Sequence, residues 1–175
     1  MDIKEILKKP LDGTCSITVG VVLFTKSDRK RVCLVLERGG RKWKGLTLIN
    51  KPRSWENPGG GVHKGELPIE GAYREVFQET GYPKQVVRIN PEPVDYKVEG
   101  TNKKPHFKIT FIAELICEEN QHPFEVNPAG DTIGRKIIDV SELPSPARQQ
   151  SWRLDEYPIF KSHLLNILEN QRKED

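Results

Sequence analysis

The chain is short of everything that marks secreted, membrane-spanning or disulfide-built proteins. It has three cysteines, Cys15, Cys33 and Cys117, an odd and scattered set with no C-x-x-C pair and no metal-ligand spacing. That excludes a disulfide framework. Each thiol sits in an apolar run and reads as a small buried side chain, which favours a reducing, cytoplasmic setting. No apolar run approaches the length of a bilayer crossing, so no membrane partner is expected. The opening residues, MDIKEILKKPLDG, are charged and carry no long apolar stretch, so no secretory signal is expected. Internal repeats and low-complexity linkers are missing too. A strong charge excess is also lacking: 28 Lys and Arg stand against 25 Asp and Glu, a balance of +3. That is too mild to point to nucleic acid, and the expected partner is a small molecule. At 175 residues the chain suits one domain over 1–175, with a lead-in at 1–13 and a closing helix at 157–172.

What is present is a series of short β-rich runs. CSITVGVVLF (15–24), nearly all apolar, reads as a buried strand, and RVCLVLER (31–38) as its neighbour across a Ser27-Asp28 turn. Residues 39–57 read as a long loop with at most a short strand at LTLIN. VVRI, VDYKVEG, HFKITFIAEL (106–115) and GRKIIDV (134–140) are further strand candidates. Residues 3–8 predict a short helix stopped by Pro10. Between the strands, Pro68 stands at a first helical position and Gly81 just past a last one, which predicts a helix over 68–80. Strands interrupted by a central helix imply an α/β domain, a mixed sheet covered by helices.

That central helix carries the chemistry. It follows NPGGG, residues 57–61, and bears many acids. Glu75 and Glu79 lie one turn apart on one face with Gln78 between them, while Ala72, Tyr73 and Val76, with Phe77 at a flank, form the packing side. Glu70 is spaced to pair with Arg74. An acidic face alone is most simply a wet one. A glycine turn beside it adds close backbone approach and a carbonyl, and Mg²⁺ takes oxygen ligands from a few carboxylates together with substrate phosphates. The G-x-x-x-x-G-K-[ST] phosphate loop and the G-x-G-x-x-G dinucleotide fingerprint are not matched.

In this stretch the chain resembles the Nudix hydrolases, whose signature is G-x5-E-x7-R-E-U-x-E-E-x-G-U, with U a bulky apolar residue. Gly60, Glu66, Arg74, Glu75, Val76, Glu79 and Gly81 fall in place, Tyr82 fits the last position loosely, and Gln78 stands where the pattern has a glutamate. The flanking TVGVVLF, VCLVLER, W-x-x-PGGG and ELP come in the family's order. The resemblance implies a Nudix-type α/β/α sandwich with a mixed central sheet, and Mg²⁺- or Mn²⁺-dependent hydrolysis of a nucleoside diphosphate linked to another group. It implies a cation held by the Gly59 carbonyl, Glu75 and Glu79, with Gln78 as a neutral ligand. Arg74 would orient a glutamate of the cage, and Glu66 would brace loop and helix. Asp131, in NPAGDTIGRKIIDV, is either a turn residue or the further acid that serves as ligand or general base. Glu99, as a loop acid, and Glu114 and Glu118 are rivals.

For the substrate, Arg38, Arg41, Lys42, Lys44, Lys51 and Arg53 form a basic run with no acid from 38 to 53, accompanied by Trp43 and Trp55. It is either a solvated loop or a patch for an anionic ligand. The tryptophans either stack on a nucleobase or pack as a core edge. PGGG rather than PQGG, and no S-x-x-x-S-P-G after the signature, leave a nucleotide substrate by elimination. The alternative to an enzyme is a nucleotide-binding or sensing module on the same scaffold, catalytically weakened by Gln78.

Overall fold

The computed structural model of the chain describes residues 3–25, 31–37, 40–44, 47–51, 54–101, 104–118, 121–125 and 132–139, with the backbone alone at 34–37, 40–44, 47–51 and 54. The elements are α1 (Ile3–Ile6), β1 (Ser16–Phe24), β2 (Arg31–Glu37), β3 (Gly40–Lys44), β4 (Thr47–Lys51), β5 (Ser54–Glu56), β6 (Gly59–Gly61), α2 (Pro68–Thr80), β7 (Val87–Ile89), β8 (Asp95–Thr101), β9 (Lys104–Leu115) and β10 (Thr132–Asp139). The closing helix expected at 157–172 lies outside the described residues.

β1 is the centre of an eight-stranded sheet that runs β10-β2-β1-β9-β7, with β5 on β2, β6 on β1 and β8 on β9. β1 and β9 are parallel over nine residue pairs, from Ser16 with His106 to Phe24 with Glu114, and every other pairing in the sheet is antiparallel. The sheet is therefore mixed, as expected. The near-continuous apolar run of β1 follows from its position: Val21, Val22, Leu23 and Phe24 are all buried, as a central strand covered on both faces requires. The core joins Ile17, Val19, Phe107, Ile109 and Phe111 from the sheet to Val62, Ala72, Val76 and Tyr82 around α2.

Three expectations are corrected. In the stretch 39–57 the short strand at LTLIN is present as β4, but the rest is not one loop: β3 pairs with β4 as a separate hairpin, Arg41 opposite Asn50 and Trp43 opposite Leu48, and β5 joins the main sheet beside β2. Phe77 does not flank the core; it is 54% exposed, and Gly71, Ala72, Val76 and Thr80 make the buried face. Glu70 does not pair with Arg74; its carboxylate turns back to accept the Leu67 N–H at 2.9 Å and closes the first turn of the helix. The helix bounds are those predicted, with Gly81 in the left-handed conformation at φ 78° and its N–H on the Phe77 carbonyl.

The N-terminal lead-in is built into the core. Ile6 and Leu11 are buried, and the Leu11 N–H donates to the Glu66 carbonyl (2.9 Å) while the Gly65 N–H donates to the Leu11 carbonyl (2.7 Å). This backbone pair holds the loop between β6 and α2 from behind.

Candidate active site

β6 is three glycines laid antiparallel on β1, fastened at its ends by Val21 N–H to the Pro58 carbonyl and Val62 N–H to the Ile17 carbonyl. α2 packs directly behind it. Gly59 leaves no room for a side chain, because a Cβ there would run into the Val19 carbonyl and the Gly20 backbone, and at Gly60 the Glu75 carboxylate fills the space instead, 2.5 Å from where a Cβ would lie. Glu75 and Glu79, one turn apart, thus both reach the glycine strand, Glu75 over Gly60 and Glu79 at Gly59, whose N–H donates to its Oε2 at 2.7 Å.

Arg74 organises the acids. Its Nε and one terminal nitrogen grip both oxygens of Glu66 at 2.9 and 3.0 Å, and that same nitrogen donates to the Gly61 carbonyl at 2.7 Å. The other terminal nitrogen donates to Glu75 Oε1 at 2.6 Å and to the Gln78 amide oxygen at 3.0 Å. Five bonds match the five N–H donors a guanidinium has. Glu66 also accepts the His63 N–H at 2.9 Å. Its carboxyl is held below the usual carboxylate range, first by the bond from Arg74 and further by the His63 N–H.

Glu79 is shifted the other way, up to about 7. Burial is the main cause, and the negative charges of Glu75 and Glu56 add to it, against the bonds from Gly59 and from the Thr132 hydroxyl, which reaches Oε1 at 3.2 Å. A carboxyl raised by burial and by neighbouring acids is eased when a cation enters among them, and the donors present are hard oxygens. The residues therefore fit a divalent cation: Glu75 and Glu79, the Gln78 amide oxygen that Arg74 aims, and the Gly59 carbonyl. Among the described residues no three His, Cys, Asp or Glu side chains form a cation-binding group. The set thus depends on its amide and backbone oxygens.

The remaining candidates fall in different places. Asp131, Arg38 and Arg53 lie outside the described residues. Arg41, Lys42 and Trp43 lie on β3, in the hairpin apart from the main sheet. Trp55 is half-buried on β5, and the Lys136 ammonium sits 4.2 Å over its ring. Glu99 is no loop acid: it stands on β8 and pairs with Lys97 at 3.1 Å and Lys108 at 3.4 Å. Glu114 faces Arg88 on the neighbouring strand at 3.8 Å. Sequence reasoning missed Glu56 and Thr132, both of which act on Glu79. Neither has a telling local spacing, because strand pairing through β2 brings them in. Burial raises the thiols of Cys15 and Cys117, which leaves them poor nucleophiles.

The described residues thus set an arginine-braced acidic helix against a glycine strand of a mixed sheet. The chain belongs to the Nudix family: the family model described as NUDIX domain matches residues 16–158. It is 34% identical to an RNA pyrophosphohydrolase of Bartonella clarridgeiae over 64% of this chain and 76% of that one. It is 27% identical to phosphatase NudJ of Escherichia coli K12 over 60% and 68%. In three dimensions it is similar to a C. elegans Ap4A hydrolase, with a TM-score of 0.57 at 18% identity over 90% of this chain and 98% of that one. The chain is accordingly a member of the Nudix hydrolase family.

Proposed function

We propose that the chain hydrolyses a small nucleotide at a pyrophosphate bond with Mg²⁺ or Mn²⁺, using Glu75, Glu79, Gln78 and the Gly59 carbonyl as the cation's protein ligands. The observation that carries the reading is the pair of acids set against the glycine strand, one tied down by Arg74 and the other half-buried with its carboxyl pushed up to about 7. Bound cation supplies neutralisation of the pyrophosphate charge and a water acidic enough to be a nucleophile at neutral pH. The chain's own residues position. Arg74 keeps Glu75 in one rotamer and limits repulsion among the acids, and Glu66, through Arg74, ties the loop before α2 to the helix. With its donors all engaged, Arg74 is a positioning residue rather than a phosphate clamp. The basic residues Arg38, Arg41, Lys42 and Arg53, with Trp43 and Trp55, are the proposed contacts for the rest of the nucleotide, and Asp131 is the proposed further acid. A cytoplasmic setting fits the free thiols.

One feature favours a second reading. Gln78 is exposed and brings an oxygen without a charge, so the cage is one negative charge short of the family pattern. A weakened site would leave a nucleotide-binding or sensing module. Phosphate release is the test, screened over nucleoside triphosphates, nucleotide sugars, dinucleoside polyphosphates and a 5′-triphosphorylated oligoribonucleotide with Mg²⁺ and Mn²⁺. Turnover of a free nucleotide at millimolar metal, with Gln78→Glu lowering the metal needed for half-maximal rate, supports the enzyme. Nucleotide binding without hydrolysis in both proteins supports the module. Turnover of the RNA end alone replaces the small-nucleotide substrate.

A further inference from the structure

Glu79 is held from two sides by parts of the chain far apart in sequence. The Gly59 N–H takes Oε2 and the Thr132 hydroxyl takes Oε1, across 20 and 53 residues respectively. Thr132 is 4% exposed and opens β10. The strand does not run straight there. Thr132 pairs with Glu37 and Gly134 with Leu36, so the register slips at Ile133, and such a bulge re-aims the side chain beside it. Three residues on, Arg135 donates to the Thr80 and His122 carbonyls and lies 4.2 Å over the Tyr82 ring. α2 has no basic residue in its last turn, where the exposed carbonyls carry partial negative charge, and Arg135 supplies that cation from another strand. β10 therefore grips α2 at two successive residues: Glu79 by its side chain and Thr80 by its backbone.

We propose that Thr132 is a positioning residue of the catalytic centre: aimed by the bulge at Ile133 and kept in register by Arg135, its hydroxyl fixes the rotamer in which Glu79 presents its carboxylate to a divalent cation beside Gly59. The proposal rests on the reading of Glu79 as a cation ligand. An ionised carboxylate has about four acceptor directions, and the two neutral donors take two without cancelling its charge. What they remove is rotational freedom. A β-branched threonine suits the task, because its own χ1 is restricted.

The test is Mn²⁺ binding to the nucleotide-free protein, followed by electron paramagnetic resonance titration, in the wild type, Thr132→Val and Thr132→Ser. Loss of the hydroxyl should weaken Mn²⁺ binding by roughly tenfold or more, the usual effect of removing a group that orients a ligand, and serine should restore most of it. Wild-type affinity in Thr132→Val overturns the proposal and leaves the assignment of Glu79 untouched. A wild type that binds no Mn²⁺ overturns the cation reading and this proposal together. Should Thr132→Val lose its cooperative melt, Thr132→Ala replaces it: tighter Mn²⁺ binding by the serine variant than by the alanine variant supports the role, and equal binding overturns it.

Discussion

On the proposed reading of Glu79 as a cation ligand, binding a cation and staying folded pull in opposite directions at this residue. Its folded carboxyl titrates at about 7 against an ordinary value of 4.5, so the folded protein holds this proton more tightly than the unfolded chain does. The sign follows. The metal-free protein is most favoured below about pH 4.5 as far as this group is concerned, and loses stability as pH rises toward 7. The gap corresponds to something on the order of 3 kcal/mol. Glu79→Gln removes the charge and keeps the shape. In chelator at pH 8 it should melt higher than the wild type, with the advantage shrinking toward pH 4.5, while turnover falls by several powers of ten. Thermal melts across that pH range and a kcat measurement check both halves. A variant that is no more stable at pH 8 would show that the carboxylate is not under strain. At this scale much of the site was legible in the sequence. Glu66, Arg74, Glu75 and Glu79 are tied by distances along one loop and one helix, and those distances are fixed by local geometry. Glu56 and Thr132 were not, because they reach Glu79 only after β5 and β10 have paired with β2.

At the scale of elements, α2 is a helix with acids toward its end and no positive charge of its own to answer its last carbonyls. Arg135 supplies it, with a ring contact to Tyr82 and bonds to two carbonyls. Arg135→Met keeps the apolar stem and removes the donors, and should destabilise the fold by about 2 kcal/mol, the worth of charged hydrogen bonds to partly buried carbonyls plus a C-terminal cation. Urea unfolding measures this, and a midpoint within error of wild type would rule out the grip. The bounds of α2 were plain from Pro68 and Gly81, since each residue acts through its own backbone restriction. The β3–β4 hairpin was not plain. GRKWK is short of β-branched residues and rich in charge, so its extended form comes from pairing rather than from local preference.

For the whole molecule, the lead-in at residues 3–11 changes meaning once it is seen in place. As sequence it reads only as a short helix stopped by Pro10. In the fold it buries Ile6 and Leu11 and pairs its backbone with the loop that carries Glu66. Deleting residues 1–11 should cost about 3 kcal/mol or more, from two buried aliphatic side chains alone. It should also lower turnover, because Glu66 loses its backing. A truncated protein with an unchanged unfolding midpoint and rate would contradict this. The mixed sheet was foreseeable from the run of strands around one helix, whereas the parallel partnership at its centre is a matter of topology that no local pattern states.

That central pair also bears on how the chain comes to be folded. Ser16 and His106 are neighbours in the sheet and lie 90 residues apart in sequence. This apolar central strand therefore lacks its principal partner until β9 has been made. At ordinary rates of synthesis, about 5–20 residues per second, β1 waits roughly 5–18 s with its apolar side chains unmatched. Long-range parallel pairing is also slow to form in a complete chain. Refolding from denaturant should then be a slow, concentration-sensitive process in which losses to aggregation trace back to SITVGVVLF, the same nine residues that, once paired, carry the glycine strand of the candidate site.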